Sequence, residues 1–199
     1  MNDAAAPVEI GPRSGALFAW LAPILAARDT TLDHAQAAAV DRLQRLASEL
    51  EAFRAARRST LKKLFSPPAV PRGVYLCGGV GRGKSFLMDG FFAAVAIRRK
   101  ARVHFHAFMR DVHGDLAKLK HEPDPLAAVA ARIARKWRLV CFDEFHVADI
   151  ADAMILGRLL AALFDHGVVF VMTTNYAPDG LWPNGLQRAR FLPTIALLN

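Results

Sequence analysis

The nine residues from Cys77 to Ser85 read CGGVGRGKS and carry the strongest chemical signal in the chain. Gly78, Gly79, Val80, Gly81, Arg82, Gly83, Lys84 and Ser85 fit the pattern G-x-x-x-x-G-K-[ST] between a β-favouring run and an apolar helical one. Glycines let the backbone turn its amides inward around a phosphate chain. Lys84 has the reach and charge for the outer phosphates, and Ser85 has a hydroxyl for magnesium. A helix that starts there points its positive end at the anion. The pattern therefore predicts a loop that binds nucleotide phosphate.

A loop of this kind needs a second half, which is a buried strand ending in acid. Leu139-Val140-Cys141-Phe142-Asp143-Glu144 supplies one. Asp143 is expected to hold magnesium, directly or through water, and Glu144 to polarise an attacking water. Further on, the apolar run from Val168 to Met172 leads through Thr173 and Thr174 to Asn175. Asn175 suits a sensor of the terminal phosphate, although it could equally cap the next turn. Past it, Arg188 and Arg190 open a short helix. Arginine placed across a subunit boundary can stabilise charge on a transferring phosphate, and an ordinary exposed arginine is the competing reading. His104 and His106 would share one face of a strand as a possible metal pair, but no third ligand at suitable spacing accompanies them, which favours a structural role.

These residues need a parallel sheet to bring them together. Strands are expected at 74–77, 102–105, 139–142 and 168–172, and helices near 84–99, 107–120, 126–136 and 149–165. The last two strands are almost wholly apolar, as strands covered on both faces are. The class is α/β. Residues 1–65 form an N-terminal segment in which Pro7, Pro12 and Pro23 oppose a long early element. Thr31 or Asp33 can cap an amphipathic helix running to about Arg58, with Val40, Leu43, Leu46, Leu50 and Phe53 on one face. Residues 66–72 read as a proline-rich linker and 73–199 as the phosphate-loop core.

The chain has 199 residues, enough for one sizeable core and an appendage. Its 26 Lys+Arg outweigh 18 Asp+Glu, a net charge of +8 that favours anionic partners or a solvated basic face. No helix-turn-helix or aromatic-basic interleaving supports a nucleic-acid partner. An Asn-Lys-x-Asp motif for guanine is missing, and Glu144 beside Asp143 has no clear use in a small-molecule kinase. The two cysteines, Cys77 and Cys141, are expected to be reduced. The run from Ala16 to Ala27 is too short to span a bilayer, and the first residues make a poor leader, so a cytoplasmic location is expected.

Four blocks in order, GVYLCGGVGRGKSFLMDGFF, RVHFHAFMRDVH, LVCFDEFHVADIADAMIL and VVFVMTTNYAPDGLWPNGLQRARFLPTI, resemble the Afg-type AAA+ ATPases. The resemblance covers about residues 32–198. It implies an ATP- and Mg2+-dependent enzyme that assembles as a ring, with Lys84, Ser85, Asp143, Glu144 and Asn175 in the roles above. It puts Arg188 at the ring interface, with Arg190 second. It also implies a protein client, with FtsZ polymers of the bacterial division ring foremost and mitochondrial quality control the alternative. The family pattern continues into a further strand and a helical lid, so the core is expected to lack its C-terminal lid. Two alternatives stand beside this reading: a DNA-loading or DNA-binding AAA+ module, and a nucleotide-gated binding protein without efficient turnover.

Overall fold

The structure, a computed structural model, describes residues 15–58 and 69–199. Along the chain come α1 (Ala16–Ala27), α2 (His34–Arg58), β1 (Val74–Cys77), α3 (Lys84–Ala94), β2 (Lys100–His104) and α4 (Phe105–Lys118). They are followed by α5 (Pro125–Lys136), β3 (Leu139–Asp143), α6 (Ile150–Asp165), β4 (Val169–Thr174) and α7 (Arg188–Leu198). The four strands form one parallel sheet in the order β1-β4-β3-β2.

The apolar runs of β3 and β4 are buried at every position, because each face of the sheet has its own helical layer. On one face, Val140, Phe142, Phe170 and Met172 pack with buried residues of α4, α5, α6 and α7. On the other, Leu139, Cys141, Val169 and Val171 meet Leu17 and Leu21 of α1, Leu43 and Leu46 of α2 and Phe91 of α3. Alternate residues of one strand thus serve two cores, as a period of two requires. The chain leaves β1 for the far edge of the sheet and returns strand by strand, which makes β1 the point where the winding changes face. In open parallel sheets a ligand crevice forms at such a point, outside the carboxyl ends of the strands.

The N-terminal amphipathic helix packs on this core in cis. Asp33 caps it reciprocally with Gln36: the Gln36 amide donates to Asp33 Oδ1 at 2.8 Å and the Asp33 amide to Gln36 Oε1 at 3.0 Å. Pro23 is accommodated inside α1, against the expectation that it would keep this region from forming an element of that length. It lies on the exposed side of the helix, opposite buried Leu17 and Leu21, where a lost backbone bond can be made good by water. The helix after the glycine loop ends at Ala94 rather than 99, since Val95 turns extended and Lys100 already begins β2. Because β2 ends at His104 and His106 belongs to α4, the two histidines do not share a strand face. The first three residues of the expected linker, 66–68, lie outside the described residues.

Cys77 ends β1 and Cys141 lies in β3, with β4 between them. Two strand spacings, roughly 9–10 Å, exceed the ~7 Å Cα limit for a disulfide. Cys77 is exposed, while Cys141 is buried and its thiol is pushed up to about 12 by burial. A thiol-directed reagent at pH 8 should therefore label Cys77 alone in the native chain and both cysteines after denaturation, counted by mass spectrometry. Rapid native labelling of Cys141 would contradict this placement.

Candidate functional site

The loop between β1 and α3 owes its shape to its glycines. Gly81 and Gly83 both have φ of 78°, a left-handed conformation that side chains with a Cβ adopt at a cost. Gly83 is the N-cap of α3, and a Cβ there would also press on Gln36 Nε2 at 3.2 Å. Gly78 and Gly79 turn their carbonyls to Lys84, whose Nζ donates to them at 2.7 and 2.8 Å. Val80 projects from the tip, 87% exposed. Arg82 ties the loop to the start of α2: its guanidinium pairs with Asp33 at 3.1 Å, and its carbonyl accepts from Gln36 Nε2 at 3.2 Å.

The other predicted residues converge on the same place from neighbouring strands. Lys84 Nζ donates a third bond to Asn175 Oδ1, 3.0 Å away, just past the end of β4. Ser85 Oγ donates to Asp143 Oδ1 at 3.0 Å. Glu144 has φ of 54°. This uncommon conformation for a residue with a side chain is held by two bonds, from the Glu144 amide to Thr173 Oγ1 at 3.2 Å and from the Phe145 amide to the Thr173 carbonyl at 2.7 Å. Strain held in place by its surroundings is a mark of functional positions. Glu144, His106, His146, Asn175 and Tyr176 line the same cleft as residues 80–86, a cavity of about 740 Å³.

Asp143 is almost buried, with 8% of its surface exposed. Burial pushes its carboxyl up. Hydrogen bonds from Arg102, Thr173 and Ser85, together with the Arg102 charge, more than reverse this and hold it below the usual aspartate value. The group is an anion at neutral pH. Ser85 lines the cleft and its hydroxyl lies 3.0 Å from the Asp143 carboxylate, and both are the hard oxygen donors that magnesium takes. The residues present therefore fit that ion.

Arg102 is the functional neighbour that sequence reasoning missed. It donates to Asp143 Oδ2 at 2.7 Å and also pairs with Asp89 on α3. The register places Arg102 beside Cys141 and His104 beside Asp143. Nothing local in the sequence announces that pairing. Arg188 is anchored by backbone carbonyls of the segment just before it. Its NH1 donates to the carbonyls of Leu181 and Trp182 at 2.8 and 2.7 Å, and NH2 to that of Asp179 at 3.0 Å. Arg190 is exposed, with no ion pair among the described residues.

The sequence profile of the AFG1-like ATPases matches residues 19–199, nearly the whole chain. The chain belongs to the AFG1-like ATPase family. Among its relatives, the cell division protein ZapE of Escherichia coli (strain K12) is 53% identical over 124 residues, covering 62% of this chain and 33% of that protein. Lactation elevated protein 1 homolog B of Danio rerio is 50% identical over 144 residues, covering 67% of this chain and 29% of that protein. The chain thus matches about a third of the length of these AFG1-like relatives. In three dimensions it is similar to DnaI, with a TM-score of 0.55 at 16% identity, over 86% of this chain and 82% of that one. The fold is that of a P-loop AAA+ protein.

Proposed function

We propose that this chain binds ATP with magnesium in the cleft at the carboxyl edge of the sheet and hydrolyses it to ADP and phosphate. The observation that carries the reading is a single network: Lys84 bonded to Asn175, and Ser85 bonded to Asp143, each at 3.0 Å. Four residues from three separate strand ends meet there.

In this reading Ser85 and Asp143 hold magnesium, which neutralises charge on the phosphates. The loop amides and the first turn of α3 bind the phosphate oxygens. Lys84 exchanges its bonds to Gly78, Gly79 and Asn175 for the outer phosphates, and Asn175 then faces the terminal one. Glu144 accepts a proton from the attacking water, its carboxylate aimed by the turn that Thr173 fixes. Arg102, paired with both Asp143 and Asp89, would offset the Asp143 charge and would keep Asp89 as a partner if a cation took that carboxylate. Phosphate release on mixing the chain with ATP and Mg2+, absent when EDTA replaces the ion, is the expected result. Release that persists at full rate in EDTA would contradict the assignment.

The name of the Escherichia coli relative points to cell division. Carried over to this chain, that name supports a role in cell division, to which we add, as a proposal, a cytoplasmic location and FtsZ polymers as the client. Among the described residues no helix is long and apolar enough to cross a membrane. The segmentation into 1–65, 66–72 and 73–199 belongs to the same proposal. Co-pelleting with FtsZ polymers that strengthens with ATP supports this client, and pelleting indifferent to nucleotide counts against it.

The proposal also assigns Arg188, with Arg190 second, to the phosphate of a neighbouring subunit in a ring. Arg188 must release three carbonyls to serve in trans, whereas Arg190 needs no such release. Each arginine is tested by mixing its alanine variant with Lys84→Ala subunits of the ring-forming protein. The true trans arginine should restore part of the activity, because mixed rings contain sites with one intact loop and one intact arginine. No recovery for either, in demonstrated mixed rings, removes the assignment.

A further inference from the structure

At the opposite edge of the sheet, where the strands begin, lies a second cavity of about 520 Å³. Its floor is apolar, made by Leu50, Phe53, Ile97 and Val169, and its wall carries Arg54, Arg57, Arg98, Arg99 and Arg138. They come from three parts of the chain: the last turns of α2, the bend before β2, and the residue before β3. None of the five forms an ion pair among the described residues, and no acidic side chain lines the cavity.

Three of the guanidinium groups are anchored by backbone carbonyls. Arg54 donates to Ala96 at 2.6 Å, Arg138 to His166 at 2.5 Å, and Arg99 to the last turn of α5 at Ala134 and Lys136, at 2.7 and 3.3 Å. Arg57 stacks over the Phe53 ring at 5.5 Å, and Arg98 is exposed. Burial, then the like charges of Arg57 and Arg99, press the Arg138 pKa below its ordinary value. Gathering like charges around a pocket without a carboxylate costs folding energy that an anionic ligand would offset.

We propose that this cavity is a second anion site, separate from the nucleotide cleft, that takes a soluble organic phosphate. The phosphate engages the arginine forks and an apolar body rests on Leu50, Phe53 and Ile97. Forked guanidinium donors match phosphate oxygens bidentately. The volume falls within the range of small-molecule sites, roughly 300–1,000 Å³. The five-residue strand β3 separates this cavity from Asp143 by roughly 16 Å, so one small ligand does not fill both.

The probe is 1-naphthyl phosphate, an aromatic body with one dianionic head, titrated against the 199-residue chain by calorimetry. Saturable binding is expected, weakened at least tenfold by Arg57→Ala/Arg98→Ala, the pair that holds no backbone carbonyl among the described residues. The control Arg110→Ala/Arg158→Ala removes the same charge elsewhere and should leave binding unchanged. Lys84→Ala should also leave it unchanged, which separates this cavity from the phosphate loop. Weaker binding of inorganic phosphate and of 1-naphthol than of the ester supports the two-part site. Vesicles of phosphatidic acid form the second arm. If they bind more tightly than the soluble ester and lose binding in the same double variant, the phosphate is a lipid headgroup and the soluble source is overturned. Equal binding of the ester to the wild type and the folded Arg57→Ala/Arg98→Ala variant overturns the site altogether.

Discussion

Lys84→Ala is expected to weaken Mg·ATP binding at least tenfold, equivalent to about 1.4 kcal/mol. The Lys84 ammonium is held by Gly78, Gly79 and Asn175 at the exposed mouth of the cleft. These bonds are largely to solvent-accessible groups, so removing them costs the fold little. In the proposed complex the same three donors would face phosphate oxygens, and alanine would leave that charge without its counterion. Equilibrium binding of a fluorescent ATP analogue measures the loss, with circular dichroism confirming that the variant is folded. An unchanged Kd in a folded variant would mean that the loop does not bind the outer phosphates.

The second large effect is on chemistry. Glu144→Gln should leave Mg·ATP affinity within about twofold and lower turnover by roughly 10²-fold or more, the scale of a positioned general base. The amide keeps the size of the side chain and cannot accept the proton of water. The backbone conformation at Glu144 is fixed by Thr173, so the substitution should not move Asp143. Single-turnover phosphate release, beside a binding measurement on the same variant, separates the two effects. Undiminished release would remove Glu144 from the base role.

The glycine loop and the acid that ends β3 were legible because their signals are local. The left-handed turns at Gly81 and Gly83 need glycine, and a fully apolar strand that ends in Asp143 declares its buried place. The sheet could be anticipated as parallel from β3 and β4, each buried on both faces. What the sequence did not disclose depends on register and on distant partners. Arg102 reaches Asp143 only because β2 pairs with β3, 41 residues on. The clamp of Asp33 on Arg82 spans 49 residues, and the three carbonyls that hold Arg188 are set by the turn around Trp182. The arginine cavity likewise gathers residues from 50 to 169, which no window of sequence brings together. Pro23 shows the reverse case, where a strong local rule yields to packing of the opposite face of α1.

The most direct test of the central claim is hydrogen–deuterium exchange, read peptide by peptide, on the chain with and without saturating Mg·ATP. If the glycine loop holds the phosphates, exchange should slow most at residues 79–86, with a smaller change at 143–145 and 174–176. A chain that binds Mg·ATP while residues 79–86 exchange as before, with protection instead around Arg57, Arg98 and Arg138, would contradict it.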